Sequence, residues 1–174
     1  MLETLISNKT RVKLLLRFFL NPDSQAYLRG LGREFDESNN AIRVELNRFE
    51  SAGLVKTERE GNRKYYKANS TYPLFKEIRQ LALKHFGIDQ IIEHVIEKLG
   101  YIHKVYLTDK LATGLDSDII DIVIISEDID RQYLSQLVEK SESLIGRKIR
   151  TLILSKEEQG KLPEPNVLIY EGDK

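Results

Sequence analysis

A chain of 174 residues, 41% hydrophobic and 31% charged, has room for one larger core or two small ones. No apolar run approaches the roughly 20 residues that cross a bilayer, and the absence of cysteine excludes disulfides, cysteine-ligated zinc and a thiol nucleophile. The formal net charge of zero is split: residues 1–87 carry 16 Lys and Arg against 10 Asp and Glu, while residues 88–174 carry 11 against 17.

A basic half joined to an acidic half implies that the first meets a polyanion. The start, Met1-Leu-Glu-Thr-Leu-Ile-Ser7, has neither the basic region nor the small-residue cleavage site of a secretory signal, so a cytoplasmic location is expected, with no membrane partner. From about Glu3 to Leu20 the near-helical spacing of Leu5, Val12, Leu15, Leu16 and Phe19 predicts one helix, broken by Asn21-Pro22-Asp23. A second helix is predicted from Ser24 to Phe35, burying Tyr27, Leu28, Leu31 and Phe35, and a third from Ser38 to Ala52.

The third helix has two faces. Ile42, Leu46 and Phe49 form an apolar stripe, and Asn40, Arg43 and Asn47 project from the opposite side at the same repeat. Asn and Arg both make paired hydrogen bonds to purine edges, although such a face is more often plain solvated surface. Gly53 then closes the helix, and two strand-like runs follow, Val55–Arg59 and Lys64–Ala68. Between them Glu60-Gly61-Asn62-Arg63 suits a hairpin loop whose tip and flanks carry Arg59, Arg63 and Lys64. A basic hairpin beside a polar helix face can grip phosphates while the helix enters a major groove.

Residues Asn40–Val55, ending Phe49-Glu-Ser-Ala-Gly-Leu-Val, and Glu58–Tyr66 resemble the winged helix-turn-helix repressors, the ArsR-like group in particular, over about the first 70 residues. The resemblance implies a transcriptional regulator that binds double-stranded DNA as a homodimer. It places Asn40, Arg43 and Asn47 toward bases and Arg59, Arg63 and Lys64 toward phosphates, with Asn39 and Asn62 completing the interface. The metal-sensing cysteines of some relatives have no counterpart here.

Pro73 opens a further helical run through Leu74, Phe75, Ile78, Leu81 and Ala82 to Gly87. Its apolar content exceeds the needs of one small domain, so it packs between domains or dimerises; the resemblance favours dimerisation. Asp89 is placed to cap another helix, running to Gly100. Beyond it the pattern reads strand 102–107, strand 119–126, helix 130–145, strand 148–154, a capping box at Ser155-Lys-Glu-Glu158 and strand 167–170, a small α/β domain with a mixed sheet. The expected domains are thus 1–70 (winged helix), 71–87 (connecting or dimerisation helix) and 88–174.

Val105–Ser126 resembles the signature region of minimal nucleotidyltransferases, a likeness that extends over roughly Gly87 to Ser155. The family's chemistry needs a flexible turn for the triphosphate and two carboxylates on one strand face for magnesium. In place of the family's Gly-Ser pair stand Thr108 and Asp109, and an aspartate there repels a triphosphate. Asp118 and Asp121 are three apart, hence on opposite strand faces, while Asp116 and Asp118 precede the strand. Ala112-Thr113-Gly114 also lacks the family's arginine. The expectation is a nucleotidyltransferase-like domain that is catalytically inactive, with no catalytic residues, metal or cofactor, binding a protein partner or a small-molecule effector. Two alternatives stay open: an active nucleotidyltransferase, and an antitoxin-like member of a toxin pair. His85, His94 and His103 match no metal motif, the aspartates match no EF-hand loop, and neither a glycine-rich phosphate loop nor a Gly-x-Ser-x-Gly elbow is present.

Overall fold

The structure, a computed structural model, describes residues 2–172, and the chain divides into two compact units, Met1–His85 and Phe86–Lys174. In the first unit the predicted opening helix is two. A short α1 (Leu2–Leu5) precedes α2 (Lys9–Leu20), because the Asn8 side chain accepts a hydrogen bond from the Arg11 amide at 2.9 Å and starts the helix afresh. Leu5, assigned to the apolar stripe from its spacing, is exposed, whereas α2 buries Val12, Leu14, Leu16, Phe18, Phe19 and Leu20.

The second predicted helix begins later than its pattern implies. Ala26 and Tyr27 form a short strand, β1 (Ala26–Tyr27), paired with Tyr66 and Tyr65, and only then does α3 (Leu28–Phe35) start. A hydrophobic pattern cannot distinguish two strand residues from a first helical turn when the pairing partner lies 40 positions away. Next comes α4 (Asn39–Ser51), capped by Ser38, whose hydroxyl accepts from the Ala41 amide at 3.2 Å. Gly53 follows it in the left-handed region, φ 75°, where a glycine costs least. The wing is β2 (Val55–Glu60) and β3 (Arg63–Ala68), antiparallel, with β1 on the outer side of β3. The first unit is thus a winged helix-turn-helix, completed by α5 (Phe75–Phe86), whose start falls two residues after the predicted Pro73.

The core of this unit is the inward stripe of α4, with Ile42 and Leu46 fully buried and Phe49 nearly so, packed with Leu31, Phe35 and the α2 residues. Each such side chain contributes roughly 1.5–3 kcal/mol of burial. One charged residue shares the stripe. Glu45 is 2% exposed, and its carboxylate accepts from Arg11 Nε at 2.7 Å, from Arg48 Nη1 at 2.6 Å and from Asn8 Nδ2 at 3.2 Å.

In the second unit, Gly87 rather than the predicted Asp89 stands at the start of α6 (Ile88–His94), and a 3-10 turn, Ile96–Lys98, replaces the rest of that predicted helix. The strands β4 (Lys104–Thr108), β5 (Ile119–Ile125), β6 (Lys148–Leu154) and β7 (Asn166–Glu171) form one sheet in the order β6-β5-β4-β7. The β5–β6 pair is parallel and the other two pairs are antiparallel. A single-turn α7 (Asp109–Ala112) follows β4, and α8 (Arg131–Ile145), capped by Asp130, makes the crossover between β5 and β6. Along Ile122–Ile125 both faces of β5 are buried, which matches its nearly unbroken apolar run, whereas Ile119 at its start is exposed. The Ser155–Glu158 capping box forms, each side chain accepting from the other's amide, and the turn it starts is 3-10, Glu157–Lys161. No helix among the described residues is long and apolar enough to cross a membrane.

The hydrogen bond from Arg11, opposed by burial and aided by the charges of Arg11 and Arg48, holds the Glu45 carboxyl below its ordinary value of 4.5. Its stabilising effect is therefore complete above that value and is lost as pH falls through the lower value of the folded state. Glu45→Gln is expected to lower stability by about 1–2 kcal/mol at pH 7, since Arg11 and Arg48 are partly solvated, and to flatten the loss of stability below about pH 4.5. Urea unfolding of both proteins across pH 3–7 measures this; parallel pH curves would refute it.

Candidate nucleic-acid interface

The turn between α3 and α4 sets the direction of the helix that carries the expected reading face. Asp36 stands in the left-handed region, φ 52°, ψ 50°, with its amide bonded to the Gly32 carbonyl, and the Glu37 amide reaches the same carbonyl at 3.0 Å. The Glu37 carboxylate accepts from Lys13 Nζ at 2.7 Å and from the Thr10 hydroxyl, tying the turn to α2. Gly32 lets the helices close up, since a Cβ on it would lie 2.5 Å from Asn39 Oδ1 and 3.2 Å from the Glu37 carbonyl.

On this framework Asn39, Asn40, Arg43 and Asn47 are all exposed; Asn40, Arg43 and Asn47 lie on the side of α4 away from Ile42, Leu46 and Phe49, whereas Asn39, at its first position, faces Gly32 of α3. The wing turn brings Gly61, at φ 58°, and Asn62 to its tip, with Arg59 and Arg63 exposed on its flanks. A groove of about 1170 Å³ runs between α3, the start of α4 and the wing. Its lining joins Asn39, Asn62, Arg63 and Lys64, all expected from the sequence, to Arg29, Arg33 and Tyr27, which were not. Arg29 and Arg33 are spaced one helical turn apart on α3, a signal present in the sequence but no different there from an ordinary solvated face.

The cations of α3, α4 and the wing, with those of α2 that face them, fall mostly into two groups. Arg11, Lys13, Arg17 and Arg48 pair with Glu45, Glu37, Glu34 and Glu45 at 2.6–3.0 Å, and Lys67 approaches Asp23 at 3.6 Å. Lys64 belongs with them, because its ammonium meets Glu50 at 2.6 Å. Glu50, which also accepts from the Thr57 hydroxyl at 3.2 Å, fastens the end of α4 to both wing strands. Its carboxyl is lowered chiefly by the Lys64 hydrogen bond, and Arg59 acts on it only at longer range. By contrast Arg29, Arg33, Arg43, Arg59 and Arg63 form no ion pair among the described residues. Their unneutralised charge lies on the groove, the outer face of α4 and the wing.

The second-unit residues set against the nucleotidyltransferase signature, Thr108, Asp109, Asp118 and Asp121, are arranged differently. Thr108 is buried at the end of β4 and Asp109 follows at φ 58°. Asp121 lies on β5 directly beside Arg150 of β6, which donates to it twice, at 2.6 and 2.9 Å, and comes within 3.9 Å of Asp109. Asp118 precedes β5, as does Asp116, which pairs with Arg147 at 2.7 Å. No group of three metal-ligating side chains occurs among the described residues.

No protein-family model matches the sequence, and no curated protein matches it. Among solved structures, reduced HlyU from Vibrio cholerae N16961 is 22% identical, over 49% of this chain and 84% of its own, with a TM-score of 0.39. The AF1382 protein of Archaeoglobus fulgidus is 16% identical, over 53% of this chain and 98% of its own, at 0.39. The transcriptional regulator BldR from Sulfolobus solfataricus is 14% identical, over 56% and 71%, at 0.38. Likenesses this loose assign no site to the chain.

The left-handed backbone at Asp36 gives a direct test of the turn. Asp36→Gly is expected to leave stability nearly unchanged, whereas the β-branched Asp36→Val is expected to cost about 1–2 kcal/mol. Thermal melts of the two variants decide it; equal melting points would mean that the turn relaxes out of this conformation.

Proposed function

We propose that this chain is a sequence-specific, DNA-binding transcriptional regulator of the winged helix-turn-helix type, acting in the cytoplasm. The observation that carries the reading is the outer face of α4. Asn40, Arg43 and Asn47 are exposed together, beside a groove and wing whose arginines have no carboxylate partners among the described residues. A helix about 10–12 Å across fits a major groove, and the Asn and Arg side chains supply the donors and acceptors that distinguish purines there. Arg59 and Arg63 then lie toward the flanking phosphates, with Asn39 and Asn62 between the two sets. Lys64 acts as a strut through Glu50 and contributes less to the phosphates than the sequence pattern implies.

Palindromic recognition requires two copies of α4, and α5 provides a surface for pairing. Leu81 on it and Leu74 just before it are 40% and 54% exposed, with Ile78 between them at helical spacing. This supports a homodimer formed through α5.

We read the second unit as nucleotidyltransferase-like and catalytically silent, a platform for an effector or a protein partner. What favours silence is Arg150, whose guanidinium already neutralises Asp121 and stands near Asp109, so these carboxylates are engaged before any cation arrives. Incubation with magnesium and radiolabelled ATP is expected to transfer no label to protein or RNA; transfer would restore the enzyme reading.

Selection of binding sites from random DNA is expected to enrich a palindrome that binds two chains per duplex. Against that site, Arg63→Ala is expected to weaken all sequences alike and reduce the salt dependence by about one phosphate contact, whereas Lys64→Ala changes it less. Arg43→Ala is expected to cost about 1–3 kcal/mol and to relax base preference at one position of each half-site. Anisotropy titrations over a salt series measure all three. Unaltered base preference in Arg43→Ala would show that another surface reads the sequence.

A further inference from the structure

The groove between α3 and the wing is organised around Tyr27. The tyrosine ring meets Tyr65 edge-on at 5.7 Å and carries the Arg63 guanidinium 5.1 Å from its centroid. Its hydroxyl accepts from Arg33 Nη2 at 2.6 Å. Arg33 Nε also donates to the Arg29 carbonyl at 3.4 Å, which fixes the side chain along α3 and leaves most of its five donors unused. Gly30 makes room for the ring, since a Cβ there would stand 3.1 Å from it.

Two guanidiniums, one from α3 and one from the wing, therefore meet on one aromatic side chain, with Arg63 held by Tyr65 as well. Neither forms an ion pair among the described residues. The carboxylates of the groove, Asp36 and Glu37, come at the opposite end of α3 from Tyr27, and Glu37 is held by Lys13. Long arginine side chains lose rotamer entropy on binding, and holding them in place beforehand reduces that loss. The planar, multi-donor geometry that results suits the oxygens of a phosphate.

We propose that Arg33 and Arg63 grip one phosphate between them, with Tyr27 as the positioning residue that holds both. The phosphate chemistry follows from the guanidiniums alone. That its owner is a DNA backbone phosphodiester rests on the functional reading above. In that setting the clamp grips the strand beside the groove entered by α4, joins α3 to the wing, and reads no bases.

Sharing makes the proposal distinguishable from ordinary surface charge. In anisotropy titrations of the full chain against its selected duplex, Arg33→Ala and Arg63→Ala are each expected to lower the slope of log affinity against log salt by about one. The double variant is expected to lower it by about one as well, with base preference unchanged. Tyr27→Phe is expected to weaken binding about threefold with the melting temperature preserved, because the ring stays and only the hydroxyl bond to Arg33 goes. A double variant that loses about two, or an Arg33→Ala slope equal to the wild type, would overturn the clamp while leaving the DNA reading intact. Inorganic phosphate titrated into the wild-type chain is expected to shift the Arg33 and Arg63 Nε–Hε signals together in nuclear magnetic resonance spectra. Those shifts without any duplex binding would keep the clamp and overturn the DNA reading; neither shifts nor duplex binding would overturn both.

Discussion

An ionised carboxylate on the core side of a helix has to be neutralised, and in this chain that requirement fixes the rotation of α4. Glu45 lies in the same stripe as Ile42, Leu46 and Phe49, and its oxygens are satisfied by Arg11, Arg48 and Asn8. Apolar contacts alone tolerate slippage, since one aliphatic side chain can replace another at modest cost. A turn of α4 by one residue, about 100°, would separate Glu45 from Arg11 and Asn8 and leave its carboxylate with only Arg48 of its own helix. The ion pair adds little net stability compared with a well-packed apolar residue, but it selects one orientation. Asn8 enters the arrangement twice, through Oδ1 to the Arg11 amide and through Nδ2 to Glu45, so the start of α2 and the middle of α4 are fixed by one residue. With the inner face fixed, Asn40, Arg43 and Asn47 can face only outward.

The same economy of carboxylates sorts the cations of the first unit. Glu34, Glu37, Glu45 and Glu50 each engage a base from another element, and each bond fixes the packing of two elements. The arginines left over sit on the groove, the outer face of α4 and the wing. A net positive charge says only that a domain attracts polyanions; which cations lack partners says where. That distinction separates Lys64 from Arg63, adjacent in sequence and alike in charge, since one is bound to Glu50 and the other rests on an aromatic ring.

Local signals made much of this legible in the sequence. The stripe of α4, the Gly53 stop, the wing turn at Gly61-Asn62 and the strand β6 all rest on residues close together in the chain, and the structure has them where the pattern implied. Elements that depend on distant partners were not legible. Ala26 and Tyr27 become a strand only because β3 is there to pair with them, whereas the Asn8 cap that divides the opening helix is a local signal hidden beneath the continuous apolar spacing. Glu45 itself reads as one more surface charge until its neighbours are known. Tyr27 has the spacing of a core residue, yet at a groove its ring carries Arg63 and its hydroxyl holds Arg33.

Electrostatic complementation recurs in the second unit with the signs exchanged. There the acidic side chains are in excess, and Arg147, Lys148 and Arg150, clustered at the end of α8 and the start of β6, answer Asp116, Glu142 and Asp121. The pairing of Arg150 with Asp121 follows directly from the parallel register of β5 and β6, which sets the two residues side by side on one face of the sheet. A carboxylate in that position can recruit an ion from solution only if the sheet supplies no cation of its own. Here the neighbouring strand supplies one, in a bidentate geometry that a mobile lysine would not reproduce. In the first unit, internal carboxylates leave surface arginines available to an outside anion; in the second, an internal arginine engages the aspartates that would otherwise attract an outside cation. The two units thus differ in what they offer to solvent for one reason, namely which charge each has satisfied from within.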